Sequence, residues 1–487
     1  MLTGLLILIP LAGSAVVMFS LKENSIKRNA LVITVTELLL AVFTVARYSG
    51  STVSGLSFSI PWLKGLNVPF SFGVDGLSLL MVLLTAFLVP VIILASYTCR
   101  SRRVNIFFGL ILLAESGLIG VFTAMNGLVF YLFWEFTLVP VYFIVALWGS
   151  EDRIRITFKF LIYTLTGSLI MLAALIYLYF QTPLPHSFSF ASLYHATTTK
   201  EAQVWIFAAF MLAFAIKIPL VPFHTWQPDT YTVAPAAGSM ILSALMVKMG
   251  LYGIFRFIVP VTHRALQVIG LPVIAVIVAG VIYASVIALR QDDLKRFIAW
   301  ISIAHVSLIA AAILSMQRTA MNGAMFQMVA HGINVTGLFI IADIIEVRFK
   351  TRKISELGGI AMLIPSLALL SMILLLATVA LPFTSGFVGE FLMLLGMFNY
   401  NSWVTAVAAL TVIFSAYYML RMYQAVMLGT PSESMTVNQP PLLRNELVVL
   451  GILVAVTLVL GCYPKPVIDL ASEAGGLLIN TFNTLPN

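Results

Sequence analysis

Long apolar runs separated by short polar segments follow one another along almost the whole chain. A helix needs roughly 20 apolar residues to cross a hydrocarbon core about 30 Å thick. Fourteen stretches of the sequence approach or exceed that length, followed by a short amphipathic tail at about 466–481. The stretches are about 2–20, 29–48, 76–98, 105–124, 127–148, 157–181, 202–225, 237–259, 265–289, 296–315, 320–347, 360–397, 402–428 and 446–463. The pattern predicts an all-α polytopic membrane protein, because the runs are too long and too uniform for a β-barrel.

Composition supports the membrane class and excludes several kinds of chemistry. Of the 487 residues, 61% are hydrophobic and only 9% are charged, whereas soluble domains carry about 25% charged residues. The two cysteines, Cys99 and Cys462, lie in different segments and cannot supply the four thiolates that an iron–sulfur cluster usually needs. The sequence also lacks a G-x-G-x-x-G motif and a Walker-type loop. We therefore expect no cofactor and no metal in this chain.

The basic residues indicate how the spans are oriented. Loops on the cytoplasmic side of a membrane protein carry an excess of Lys and Arg. If the N-terminus faces outward, the loops that then face inward hold most of the 27 Lys and Arg residues. An even number of spans also places the C-terminus outside. The formal charge of +8 thus reflects topology, and we expect no nucleic acid partner.

Two of the predicted spans are interrupted. Span 7 has three prolines within ten residues after Lys217, and span 12 carries a proline and two glycines between Leu381 and Glu390. Such breaks survive in lipid only where protein or water satisfies the freed backbone groups, and breaks at matching places indicate internal repeats around a transport path. We predict four units: 1–104 with three helices, 105–260 with spans 4–8, an inverted repeat at 261–430 with spans 9–13, and 431–487 with span 14 and the tail.

Six ionisable residues fall at or near mid-depth of these spans. A charge at the centre of a bilayer costs about 2.5–3.5 kcal/mol on insertion scales, so the groups must pair, become neutral or be hydrated. Acids, lysines and histidines without metal-ligand spacing are suited to passing protons, because a Glu–Lys pair that forms and breaks changes the proton affinity of the lysine. The six candidates are Glu135, Lys217, Lys248, His305, His331 and Glu390.

Structural roles are the alternative for each of these residues. A buried glutamate can be a protonated packing residue, a lysine beside a proline break can donate to freed carbonyls, and a neutral histidine often bonds a neighbouring carbonyl. Glu115 in span 4 and His224 in the broken span 7 are secondary candidates for the same reason. Asp75 and Asp229 lie at predicted helix ends, where capping is a sufficient explanation.

Three segments carry a resemblance to a known family. They are Phe133-Trp-Glu-Phe-Thr-Leu-Val-Pro-Val-Tyr142, the segment Lys217-Ile-Pro-Leu-Val-Pro-Phe-His-Thr-Trp-Gln-Pro-Asp229 together with Lys248, and Phe387-Val-Gly-Glu-Phe391. In these segments the chain resembles the antiporter-like subunits of respiratory complex I, NADH:quinone oxidoreductase, and among them the M-type branch. The resemblance covers essentially the whole chain and is clearest from about 70 to 460. Gln227 replaces the leucine that is usual in the family.

The resemblance implies a role for each candidate. Glu135 matches the span-5 glutamate that pairs with the lysine matched by Lys217, and Lys248 matches the central lysine. His305 and His331 match the linking polar residues, and Glu390 the terminal acid of the outward half-channel. Glu390 also separates the chain from the L- and N-type subunits and from the large subunits of Mrp-type antiporters, which usually have lysine there. We also expect the chain to lack the long lateral helix of the L-type subunits.

The expected function is proton translocation in the bacterial cytoplasmic membrane, coupled to quinone reduction in other subunits. The resemblance implies that flavin and iron–sulfur clusters are held by partner chains, and that the L- and N-type chains, small membrane subunits and lipids are neighbours. Enzyme activity then belongs to the assembly. The alternatives are a subunit of a Mrp-type cation/proton antiporter, a subunit of a membrane-bound hydrogenase, and a passive scaffold, which the mid-membrane charges disfavour.

Overall fold

The computed structural model describes residues 2–48, 56–98, 103–431 and 439–484, so Cys99 lies outside the described residues. In this part of the chain, eleven helices are long and apolar enough to cross a membrane, and the helices Leu2–Met18 and Pro365–Thr378 are apolar but shorter. The polytopic helical class is thus confirmed. The count of fourteen spans stays a prediction, because the broken segments do not form single long helices.

Within the described residues, twelve helices form the first part of the bundle. They are α1 Leu2–Met18, α2 Glu23–Arg47, α3 Gly76–Ala95, α4 Val104–Thr123, α5 Gly127–Trp148, α6 Arg153–Gln181, α7 Phe190–Tyr194, α8 Lys200–Lys217, α9 Trp226–Val233, α10 Ala236–Met240, α11 Val247–Gly253 and α12 Val259–Val261. The last three belong to one continuous helical rod, Ala236–Val261, because two π-helical segments join them, Ile241–Met246 and Ile254–Ile258.

Nine helices of the part that the structure describes form the second part. They are α13 His263–Ala288, α14 Leu294–Leu314, α15 Arg318–Phe349, α16 Ile360–Leu363, α17 Pro365–Thr378, α18 Ser385–Tyr400, α19 Ser402–Met427, α20 Arg444–Cys462 and α21 Lys465–Thr484. The most apolar stretch of α14 is buried throughout, whereas only about a third of that of α19 is buried. The centre of the bundle therefore lies around α14 and the rod Ala236–Val261, and α19 lies at its rim.

A short antiparallel hairpin, which the hydrophobic pattern did not predict, covers one end of the bundle. Strands β1 (Phe58–Leu63) and β2 (Val68–Phe72) pair with one another. The amide of Asn126 fixes the hairpin to the start of α5 by donating to the carbonyl of Pro69 at 2.7 Å. Helix α7 joins the same end, since the Gly127 N–H donates to the Phe188 carbonyl just before it. We call this end the hairpin face and the other end the opposite face.

Both predicted breaks are present and have the same backbone pattern. After α8, the N–H of Ile218 bonds to Phe214 and that of Leu220 to Ala215; after α17, Val379 bonds to Leu375 and Leu381 to Leu376 in the same way. Each helix therefore ends by bonding its own last carbonyls, and the chain restarts as α9 or α18. Lys217 is the last residue of α8, and Glu390 lies in the second turn of α18.

Close helix approach fixes α18 against α15. A Cβ added at Gly396 would lie 2.2 Å from the Ala320 backbone nitrogen, and one at Gly323 would lie 2.6 Å from that of Met393. Small residues at such crossings let helix backbones come together in lipid, where packing drives association. The crossing matters for the site, because α15 carries His331 and α18 carries Glu390.

Candidate functional site

Lys248 lies fully buried in the middle of the rod Ala236–Val261. Its ammonium nitrogen donates to the Ser243 carbonyl at 3.0 Å and lies 2.7 Å from Nδ1 of His331. The π-helical segment Ile241–Met246 places Ser243 one turn before the lysine, and π-bulges are frequent at functional sites. A lysine amine and an imidazole nitrogen at this distance can exchange one proton directly.

His331 continues the polar contacts towards α14. Its Nε2 lies 3.2 Å from the Ser302 hydroxyl, and its ring centroid lies 6.2 Å from that of His305, one turn further along α14. A cavity of about 20 Å³, lined in part by Ser302, Gln327 and both histidines, lies between them. A water molecule needs roughly 10–15 Å³ of such space and two to four polar partners. One water can therefore bridge the two imidazoles.

Glu390 ends this row of side chains. Its Oε1 lies 2.9 Å from Nδ1 of His305, and both side chains are almost completely buried. Neither carboxylate oxygen makes a well-directed hydrogen bond among the described residues, so the contact is at ion-pair distance without ideal alignment. The structure therefore brings together four of the six predicted residues, in the order Lys248, His331, His305 and Glu390.

Glu135 and Lys217 occupy a second place in the bundle. Lys217 is buried, and its Nζ lies 5.2 Å from the ring centroid of Trp134 without a hydrogen-bond partner among the described residues. Glu135 is half-buried, and its Oε1 is also without a partner there. No ion pair joins the two in the described structure. The cation thus rests on the indole beside the acid that the resemblance assigns to it.

The two secondary candidates lie apart from this row. The first candidate, Glu115, is fully buried, and so is another acid, Glu37. Neither carboxylate has a hydrogen-bond partner in the described part of the chain. They lie on α4 and α2, in the N-terminal part of the bundle. His224 lies in the first break, with its ring 5.1 Å from that of Trp300. Among the described residues, the structure shows no contact of Glu115 or His224 with the row formed by Lys248, His331, His305 and Glu390.

Sequence reasoning missed the uncharged members of the site. Ser302 contacts His331, and Gln327 lines the small cavity with its Oε1 unpaired and buried. Gln227, the departure from the family, is also fully buried, with both amide atoms unpaired among the described residues. Serine and glutamine are common in helices, so only the spacing of Ser302 and His305 by one turn offered a signal.

A large cavity opens on the opposite face, at the start of the rod. Its volume is about 730 Å³, and its lining includes Trp148, Ala236, Lys295, Asp343, Glu346 and Arg352. Charged groups fix its wall: Lys295 pairs with Glu346 at 2.8 Å, and Arg352 contacts both Glu346 and Asp293. Water can therefore enter the bundle beside Ala236, about three turns before Lys248. The sequence pattern gave no signal for Asp343.

Comparison with known proteins places these observations in a family. Residues 124–415 match the family model described as NADH:quinone oxidoreductase/Mrp antiporter, TM. The chain is 39% identical over 413 residues to NADH-quinone oxidoreductase subunit M of Rickettsia conorii, covering 84% of this chain and 83% of the relative. It is 33% identical to NADH-ubiquinone oxidoreductase chain 4 of Marchantia polymorpha, covering 94% and 93%.

A solved structure gives the same result for the fold. A chain in the respiratory complex I of Thermus thermophilus with bound NADH superimposes with a TM-score of 0.90 at 30% sequence identity. The match covers 98% of this chain and 100% of that chain. In the described part of the present chain, no group of three or more His, Cys, Asp or Glu residues is arranged to hold a metal ion.

Proposed function

The chain belongs to the NADH:quinone oxidoreductase/Mrp antiporter transmembrane family, and we propose that it is a proton-translocating membrane-arm subunit of a NADH-quinone oxidoreductase, equivalent to subunit M. The observation that supports a translocating role is the buried row from Lys248 through His331 and His305 to Glu390. Burying four ionisable side chains costs free energy unless they pair or exchange protons. A passive scaffold has no need of this row.

Protons enter this row from the opposite face. The cavity of about 730 Å³ brings water to the start of the rod, and Ser239 and Ser243 lie between it and Lys248. The proton then moves from Lys248 to His331, across one water to His305, and to Glu390. Helix α18 continues from Glu390 towards the hairpin face, where the Tyr400 hydroxyl lies beside Gly270 near the start of α13. Release therefore occurs on the hairpin side.

Glu135 and Lys217 act as the switch that drives this transfer. A shift of charge along the membrane arm during quinone reduction moves Glu135 towards or away from Lys217. When they pair, the lysine holds its proton; when they separate, buried Lys217 gives up that proton or repels the one on Lys248. In the structure, Lys217 Nζ lies over Trp134 and has no hydrogen-bond partner among the described residues, so this arrangement corresponds to the separated state.

The remaining assignments follow from the same function. The inverted repeats 105–260 and 261–430 each contribute one broken helix, and the repeated hydrogen-bond pattern at the two breaks supports them. The hairpin face and both termini are outward. Flavin and iron–sulfur clusters are held by partner chains, and the L- and N-type subunits are the membrane neighbours. This chain contributes proton transfer to a translocating enzyme whose redox centres lie elsewhere.

A subunit of a Mrp-type cation/proton antiporter is the second candidate, because the matched family model includes both groups. Glu390 in contact with His305 favours complex I, since a lysine is usual at this position in the Mrp subunits. The genes beside this one separate the candidates: dehydrogenase subunits support the first, and antiporter subunits without a quinone-reducing module support the second.

The test is Glu135→Gln in membranes that contain the assembled complex. We expect NADH-driven proton pumping to fall at least about tenfold, because positioned proton-transfer groups contribute about 10²–10⁴ to rate. Inside-out vesicles report pumping by dye quenching, while NADH oxidation and complex assembly are measured in parallel. Lys217→Ala removes the other half of the switch and gives the same loss. Glu151→Gln, an exposed acid in the loop after α5, is the matched control. Wild-type pumping per electron in Glu135→Gln membranes contradicts the proposal.

A further inference from the structure

A second buried cation lies on the same rod as Lys248, nearer the hairpin face. Lys248, Tyr252 and Arg256 are four residues apart, so they lie along one side of the rod. Arg256 is within the π-helical segment Ile254–Ile258 and is 9% exposed. The relay from Lys248 to Glu390 does not use it. A proton that moved from Lys248 along the rod towards the hairpin face would have to pass these two side chains.

Arg256 is held in place by contacts on three sides. One terminal nitrogen lies 2.6 Å from Asp75 and 3.0 Å from the Ser78 hydroxyl. The guanidinium also lies 4.9 Å from the ring centroid of Tyr252 and 5.8 Å from that of Phe190. Asp75 is itself fixed, because it caps α3 by accepting from the Ser78 N–H at 2.9 Å. The cation therefore has one defined position between α3, α7 and the rod.

The hydroxyl of Tyr252, which lies between Lys248 and Arg256 on the rod, also has fixed hydrogen-bond partners. The Tyr252 hydroxyl donates to the Phe122 carbonyl at 2.8 Å and lies 3.2 Å from the Ser78 hydroxyl. A hydroxyl whose proton is bound to a backbone carbonyl is not available to pass a proton along the rod. Beyond Arg256, a cavity of about 110 Å³ lined by Tyr194, Gln203 and His263 lies towards the hairpin face and is large enough to hold water.

We propose that Arg256, held in place by Asp75, blocks proton transfer along the outward half of the rod from Lys248, so that protons leave only by way of His331, His305 and Glu390. This inference rests on the proposed function. A guanidinium does not lose its proton in proteins, so Arg256 cannot accept a proton from the side of Lys248 and pass it on. The barrier keeps the outward proton reservoir from discharging through Lys248 between turnovers.

Asp75 keeps the barrier in position. Burial raises the pKa of this carboxyl, but the Arg256 guanidinium and the Ser78 N–H lower it further, so the net pKa is below its usual value. The acid therefore stays ionised at physiological pH and holds the guanidinium. Without Asp75, the guanidinium loses its anchor, and the Ser78 hydroxyl loses a partner that is fixed in position.

The test measures passive proton leak through the resting complex. Arg256→Gln complex is purified, reconstituted in vesicles of neutral phospholipid without NADH, and given a potassium diffusion potential that draws protons through the protein. We expect about tenfold faster proton uptake than with the wild-type complex. Asp75→Asn should leak in the same direction and serves if Arg256→Gln does not assemble. Arg47→Gln, an exposed arginine at the hairpin end of α2, is the control and should not leak.

A second substitution shows which route carries the leak. In Arg256→Gln/Lys248→Ala complex the leak should fall to the wild-type rate, because the barrier matters only if protons pass through Lys248. Wild-type leak in both assembled Arg256→Gln and Asp75→Asn complexes overturns the barrier, as does a leak that Lys248→Ala leaves unchanged. Failure of the proposed function looks different, since it appears as normal NADH-driven pumping in Glu135→Gln, whatever the leak.

Discussion

Lys248 and His331 are 83 positions apart in the sequence, but the lysine Nζ lies 2.7 Å from the histidine Nδ1 in the structure. Each was recognisable alone, because an ionisable group in an apolar run costs free energy that a chain rarely retains without use. Their contact was not recognisable, since it depends on how the rod Ala236–Val261 packs against α15. The same holds for Ser302, which is visible as a partner only after His331 is placed.

The contact between Ser302 and His331 leads to a graded prediction at the residue scale. His331→Phe removes both ring nitrogens and should stop NADH-driven pumping in assembled complex. Ser302→Ala removes one neutral hydrogen bond worth about 1 kcal/mol, so pumping should fall only about fivefold. Initial rates of dye quenching in inside-out vesicles, normalised to NADH oxidation, check both. Equal losses in the two variants would show that the serine does more than orient the ring.

At the scale of elements, the positions of proline and glycine predicted the helix breaks. Alternation of polar and apolar residues did not reveal the two strands. The prolines after Lys217, and the proline and two glycines between Leu381 and Glu390, correctly located both breaks, because proline removes a backbone donor. The hairpin was missed since β1 and β2 are short and each contains a proline, which weakens a strand signal. The π-helical segments flanking Lys248 have no sequence signature, because they arise from packing of the buried rod.

The crossing of α15 and α18 gives the element-scale prediction. Gly396→Ala places a methyl group 2.2 Å from the Ala320 backbone nitrogen, so α18 must move away and take Glu390 from His305. Overpacking of this kind costs about 1–3 kcal/mol. We expect faster heat dissociation of this subunit from purified complex on native gels, together with reduced pumping. Gly451→Ala on α20 is the matched control, because no atom lies within 4 Å of its added Cβ.

For the whole molecule, hydropathy and Lys/Arg distribution predicted a polytopic bundle with one orientation, and the helical class is confirmed. Orientation itself is a property of the membrane, so the helices alone do not define it. The proposed proton path needs it, however. The large cavity beside Lys295 can admit protons from the cytoplasm only if the opposite face is cytoplasmic. Arg256 can block the return of protons from outside only if the hairpin face is outside.

Thiol labelling from one side of the membrane decides between the two orientations. In a background of Cys99→Ser and Cys462→Ser, we introduce Gly65→Cys, in the hairpin turn where an added Cβ meets no atom within 4 Å. Lys353→Cys, an exposed position in the loop after α15, marks the opposite face. A membrane-impermeant maleimide should label Gly65→Cys in right-side-out vesicles and Lys353→Cys only in inside-out vesicles. The reverse pattern would place the large cavity outside, and proton entry and release would then have to exchange ends of the path.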